Sequence, residues 1–195
     1  MMLPGECDGC RRDADSRMTL EEALEGSPAP PDIINEVCLV DVAYRSFDGM
    51  RHEGQLVDHR LLRDEIISIF ELMEKVGFPV AKAVPIVAYG WSDDDSMADN
   101  NSSAFNYRRI AGTDRLSRHA IGCAVDINPL LNPVVYEDGR TVPPGALHEP
   151  GTPGTLFDGH PIVSAFVALG WRWGGYFHST LDYHHFEKHP TGISK

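Results

Sequence analysis

The spacing of apolar residues changes along this chain, and each change marks an element. Val37-Cys38-Leu39-Val40-Asp41-Val42-Ala43-Tyr44 is a strand pattern, Asp48-Gly49 is a hairpin signal, and Gly54-Gln55-Leu56-Val57 reads as the returning strand. Leu61, Leu62, Ile66, Ile69, Phe70 and Met73 then recur at helical steps, which predicts an amphipathic helix with its apolar stripe in the core. Asp58 is the expected N-cap of that helix, Gly77 its end, and Pro79 bars its extension. Val84 to Tyr89 reads as a further strand, and Ser92 to Asn101 as a solvated acidic loop. Cys123 to Ile127 is a short apolar run with strand character. In a strand Val125 and Ile127 share one face, while Ala124 and Asp126 share the other. The Pro- and Gly-rich stretch 128–159 has no periodicity, which suggests a functional lid or rim. Pro161 opens a short helix carrying Val163, Phe166, Val167 and Leu169, Gly170 ends it, and a last strand lies near Tyr183 to Glu187.

Residues 1–31 follow a different pattern. They are polar, close on the stiff Ser27-Pro28-Ala29-Pro30-Pro31, and contain one candidate helical turn with Thr19 and Glu22 at capping-box spacing. The expected organisation is a flexible N-terminal extension over 1–31 and one domain of mixed α+β class over 32–195. At 195 residues a single domain with a sizeable core is the natural count.

Composition narrows the function by exclusion. A net charge of −12 argues against nucleic acid and against an anionic membrane surface, both of which attract clustered Lys and Arg. No run approaches the roughly 20 apolar residues of a membrane helix. Met1 to Asp8 has neither a basic nor an apolar signal region, so the expected location is cytoplasmic unless another route releases the protein. Of the four cysteines, Cys7 and Cys10 form a Cys-x-x-Cys pair without a second pair to complete a metal knuckle. Cys38 and Cys123 sit in apolar runs as small hydrophobes.

The candidate chemistry lies in two stretches. Ser117-Arg118-His119-Ala120-Ile121-Gly122 leads into the Cys123 to Ile127 strand, and a turn at Gly122 would bring His119 within reach of Asp126. Two ligands from one short stretch and a third from a distant strand is a common way to build an open zinc site. The third ligand comes from Asp182-Tyr183-His184-His185-Phe186-Glu187, where His184 and His185 compete for the role. Zinc would need a carboxylate nearby to accept a proton from water, and Asp182 is placed for this if it sits in a bend before the strand. Glu187 shares the face of His185 and is a candidate to orient a ligand. An arginine, Arg108 or Arg109, would hold an oxyanion or a substrate carboxylate. Ser117 would orient a ligand or a substrate carboxylate, and Trp173 would line the substrate cleft.

Ser-x-His-x-x-Gly-x-Ala-x-Asp followed by Asp-x-x-His-Phe resembles the zinc-dependent peptidoglycan peptidases. These are the D-alanyl-D-alanine carboxypeptidases and dipeptidases and the L-alanyl-D-glutamate endopeptidases. The likeness runs from about Glu36 to Glu187 and includes Ser103 to Arg108 and Gly170 to Gly175. It implies a Hedgehog/DD-peptidase-like fold, with a central antiparallel sheet flanked by helices. It also implies one Zn2+ held by His119, Asp126 and His185, with Asp182 as general base. Phe186 directly after the ligand selects His185 over His184, and the arginine three residues after Phe105 is Arg108. The implied activity is that of a monomeric zinc metallopeptidase cutting a peptidoglycan stem peptide or muropeptide. Two other readings compete: a zinc-stabilised Hedgehog-like binding module, which has no need of Asp182 and Arg108, and a serine hydrolase using Ser117, which lacks a nucleophile elbow.

Overall fold

The β-branched run beginning at Val37 forms the longest hairpin of the protein. The structure is a computed structural model and describes residues 13–189, so the Cys7/Cys10 pair lies outside the described residues. In chain order the strands and helices are β1 (Asp13–Ala14), α1 (Leu20–Ala23), α2 (Pro31–Ile34), β2 (Val37–Arg45), β3 (Arg51–His59), α3 (Arg63–Val76), β4 (Lys82–Ala83), α4 (Asp93–Ala98) and β5 (Asn101–Ser102). There follow β6 (Ala124–Asp126), β7 (Val134–Tyr136), β8 (Thr141–Val142), α5 (Pro161–Ala168), β9 (Arg172–Trp173), β10 (Thr180–Asp182) and β11 (His185–Glu187). No helix among the described residues is long and apolar enough to cross a membrane.

The class is mixed helix and sheet, as the alternating periods predict. The expected single central sheet is replaced by several small ones. Among the described residues these are three-stranded sheets in the orders β1-β3-β2, β10-β7-β8 and β6-β11-β9, with β4 and β5 paired in parallel. α3 lays Ile66, Ile69, Phe70 and Met73 on the β2–β3 hairpin, where Val40, Val42, Tyr44 and Leu56 complete the cluster. The same core continues through Val125, Ile127, Phe166, Trp173 and Phe186, so the small sheets share one apolar interior. From Asp13 onward the expected extension also packs. β1 pairs with β3, the Thr19/Glu22 capping box forms, and Ala23 is buried against Val37, Val57 and Phe105.

Four expectations fail locally, each for a physical reason. Asp58 caps no helix: β2 stays paired with β3 back to Val37 opposite His59, so Asp58 remains in the strand and α3 starts at Arg63. Val84 to Tyr89 is not a strand. The Asn101 side chain takes both the amide and the carbonyl of Val84, and Pro85 leads into a 3-10 turn at Ile86–Tyr89. The acidic loop is helical over Asp93–Ala98, because Ser92 Oγ accepts from the Asp95 amide and three aspartates sit where the helix dipole favours them. The 128–159 stretch, expected to be irregular, carries β7 and β8 and is fastened by Asn132. That side chain donates to the Ile127 and Gly154 carbonyls and accepts from the Leu156 amide.

Asp58 is fully buried, and neither carboxylate oxygen has a hydrogen-bond partner. Burial holds its pKa well above the ordinary carboxylate value. Below that ordinary value the folded and unfolded chains both keep the proton. Above it the unfolded chain releases the proton while the folded chain retains it, so stability falls as pH rises. Asp58→Asn should therefore stabilise the fold by on the order of 1 kcal/mol at pH 8, with the gain shrinking toward pH 4. Urea unfolding at the two pH values checks this, and a gain independent of pH would refute it.

Candidate metal centre and active site

The site begins at Ser117, whose hydroxyl accepts from the His119 amide and caps the 3-10 turn Arg118–Ile121. Gly122 ends that turn with φ +64°. A Cβ there would stand 2.6 Å from the His59 amide nitrogen, so this position excludes larger residues by both backbone conformation and space. The chain then enters β6, whose two edges are both used. On one side Ser103 and Asp126 exchange backbone hydrogen bonds, and on the other β11 pairs in antiparallel register with His185 opposite Asp126. Phe186 faces Val125 on the core side, which leaves His185 and Asp126 together on the other face.

His119, Asp126 and His185 are thereby brought to one point, with all three residues buried. His119 Nε2 lies 3.1 Å from His185 Nδ1 and 3.2 Å from Asp126 Oδ2, and His185 Nδ1 lies 3.0 Å from Asp126 Oδ1. Ligand atoms at zinc-like distances in a tetrahedral arrangement would be about 3.4 Å apart, so the spacing suits a small divalent ion. The far nitrogens are occupied in the way ligand imidazoles usually are. His119 Nδ1 donates to the Ala104 carbonyl, and His185 Nε2 is 3.4 Å from Glu187 Oε2. Because a carbonyl only accepts, Nδ1 of His119 carries a proton, which leaves Nε2 as the nitrogen that faces the centre. These three residues could hold a metal ion.

The electrostatics agree with the geometry. Burial alone would raise the Asp126 pKa, yet the His119 and His184 charges and the hydrogen bonds from His119 and His185 carry it well below the usual range. Burial likewise pushes the His185 pKa down. The Asp126 and Glu187 carboxylates outweigh that push and raise it to about 10. The Glu187 carboxyl is held low, first by its hydrogen bond with His185.

Asp182 ends β10, and the turn Tyr183-His184 separates it from β11, so it does sit in a bend ahead of the strand. That turn is tied down on all sides. Tyr183 N donates to the Pro133 carbonyl, Trp173 Nε1 to the Tyr183 carbonyl, His184 Nδ1 to the Asn132 carbonyl, and Ile127 N to the His184 carbonyl. Gly174 lets the Asp182 carbonyl approach, since a Cβ there would stand 2.4 Å from that oxygen. Asp182 Oδ1 faces His184 Nε2 at 3.1 Å but is a buried acceptor with no well-formed hydrogen bond. His184 Nε2 is 3.9 Å from Asp126 Oδ2, outside the close contacts of the other two imidazoles.

Arg108 is joined to the His119 turn through its carbonyl, which accepts from the Ser117 amide, and its guanidinium is ion-paired with Asp93. Asp93 also accepts from Asn106 Nδ2 at 2.7 Å. The expected solvated loop thus supplies the partner that orients Arg108. Trp173, expected in a substrate cleft, is only 1% exposed and supports the Tyr183 turn from the core side. The sequence reading did not single out Asp93, Gly174 or the Ala104 carbonyl. Gly174 stood in a conspicuous Trp-rich motif, while a main-chain carbonyl leaves no signal in residue type. Grooves lie elsewhere, one of about 770 Å³ lined by Leu20, Leu24 and Ile34 and one of about 500 Å³ lined by Ser16, Asp41 and Gln55. Neither contains the convergent groups, and convergent chemistry rather than volume marks the site.

A family model described as D-alanyl-D-alanine carboxypeptidase matches residues 111–188. That stretch holds Ser117, His119, Asp126, Trp173, Asp182 and His185, and leaves out Arg108. The match is consistent with the resemblance that the motifs carry. No curated protein and no solved structure matches the chain.

Metal-stripped protein should take up one divalent transition-metal ion per chain, as read by calorimetry. Asp126→Ala should weaken that uptake by about 100-fold or more, because the site loses its only anionic ligand. No uptake, or an unchanged affinity in the variant, would refute the centre.

Proposed function

We propose that this protein is a zinc metallopeptidase that hydrolyses a peptide bond in peptidoglycan stem peptides or their fragments. The observation that carries the proposal is the convergence of two imidazoles and one carboxylate beside a second, separately anchored carboxylate. A site built only to stabilise the fold would need the first group but not the second. The family match over the same residues supports a peptidase.

His119 Nε2, Asp126 and His185 Nδ1 would hold the ion, leaving one position of a tetrahedral site free for water or substrate. When bound, zinc lowers the pKa of a water to about 7 and polarises a carbonyl oxygen. Asp182 accepts the proton of the attacking water and returns it to the leaving amine. Its Oδ1, which faces His184 but makes no well-formed hydrogen bond, is suited to the first of these tasks, because a buried acceptor in that state gains from a donor placed before it. The anchored Tyr183-His184 turn keeps that carboxylate in one position, so little reorganisation is needed at the moment of reaction.

Arg108 stabilises the carbonyl oxygen as negative charge builds on it, or grips a substrate carboxylate, with Asp93 fixing the guanidinium plane. Ser117 acts through His119, whose turn it caps. Trp173 acts from behind, through the Tyr183 carbonyl. Both D-alanyl-D-alanine trimming and cleavage at L-alanyl-D-glutamate are compatible with this arrangement.

The test is hydrolysis of a D-Ala-D-Ala-ended peptide and of a muropeptide containing L-Ala-D-Glu, by zinc-loaded protein, chelated protein and Asp182→Asn. The expected result is turnover by the loaded protein on at least one substrate. Chelation should abolish it, and Asp182→Asn should lower it by about 10²- to 10⁴-fold with zinc content intact. Zinc retained without turnover on either substrate would favour the binding module instead.

A further inference from the structure

The two candidate imidazole ligands are held from behind in different ways. The support behind His119 is a main-chain carbonyl, that of Ala104, which every residue type at that position would carry. The support behind His185 is a side chain. Glu187 stands two residues further along β11, so its side chain emerges on the same face and its Oε2 lies 3.4 Å from His185 Nε2. The other oxygen, Oε1, lies 3.5 Å from Arg172 Nη1, and residues 172 and 187 are direct cross-strand partners in the β9–β11 pair. Arg172 in turn lies over the Phe177 ring, 4.4 Å from its centroid, and that ring is 6.2 Å from the His185 ring. The guanidinium is thus held on a surface that borders the imidazole itself.

Glu187 also has no path to the position Asp182 occupies in the proposed reaction. Its carboxylate addresses the ring nitrogen that points away from Asp126, and its second oxygen is engaged by Arg172. A role as general base would need it on the opposite side of that ring.

We propose that Glu187, held by Arg172, is a positioning residue for the metal ligand His185. Its carboxylate accepts the Nε2 proton, fixes the plane of the ring, and directs the Nδ1 lone pair at the point shared with His119 and Asp126. An anionic acceptor behind an imidazole also makes the opposite nitrogen a stronger donor to a metal. The inference rests on the metal reading of the site but not on the peptide-bond chemistry.

The experiment measures zinc affinity by chelator competition for the full chain and for Glu187→Ala, Glu187→Gln and Arg172→Ala, with the melting temperature of each metal-free protein beside it. Glu187→Ala should weaken zinc binding by about 10- to 100-fold. Glu187→Gln keeps a carbonyl acceptor and should recover most of that loss. Arg172→Ala, which removes a partner that is largely solvent-exposed, should cost no more than about fivefold. A purely structural Glu187 would lower the metal-free melting temperature and leave the zinc affinity within twofold of the parent, and that result overturns the inference. So does equal loss in the Ala and Gln variants, because it would leave no role for the acceptor. If zinc affinity responds to Glu187 as expected while no stem peptide is cleaved, the peptidase reading fails and this one stands. If the parent protein binds no zinc, both fall.

Discussion

Asp126 and His185 are 59 residues apart in the chain and become neighbours only because β6 and β11 pair in one register. That register is set from the core side. Phe186 lies opposite Val125, is fully buried, and stacks on Phe166 with ring centroids 3.9 Å apart. A slip of one residue would turn Phe186 outward and bury His185 and Glu187 in its place. Exposing a phenylalanine of this kind costs roughly 2–3 kcal/mol before the burial of charged groups is counted. The apolar contact therefore decides where the polar chemistry sits, although it takes no part in that chemistry.

The same strand pair concentrates charge in a place where charge is expensive. Asp126 is buried among three imidazoles, whose charges and hydrogen bonds hold its carboxyl well below the usual range. Without a cation the cluster satisfies itself by sharing protons, with His185 holding its proton well above the usual range. A divalent ion would displace those protons, and the same carboxylate and lone pairs would face a charge that suits them. The far side of each ring is occupied, by Ala104 O for His119 and by Glu187 for His185. Preorganisation of this kind lowers what the site must rearrange on binding.

Main-chain groups take part in every hydrogen bond that anchors the turn beside the second carboxylate. The Tyr183-His184 turn is fixed by hydrogen bonds to Pro133, Trp173, Asn132 and Ile127, so four partners from three separate segments meet behind Asp182. Two of them, Asn132 and Pro133, come from the Pro- and Gly-rich stretch 128–159. That stretch serves here as scaffold. Arg108 is reached by another route, through the Ser103–Ala104 edge of β6 and the acidic helix α4.

The amino-acid sequence by itself determined the elements whose periodicity is strong and the residues whose types are chemically distinctive. The α3 stripe, the β2–β3 hairpin, the Thr19/Glu22 cap and the alternation that sets Asp126 opposite the face of Val125 all follow from local spacing. So does the bend that separates Asp182 from His185. Tertiary structure decided what local spacing cannot encode. It left Asp58 in a strand because β2 continued to pair with it, and it denied Val84 a strand because Asn101 took its backbone groups. It drew Asp93 to Arg108, and it placed Trp173 behind the site rather than in front of it. In each case the deciding partner lies at least 10 residues away, where propensity has no reach and only the packed chain supplies the contact.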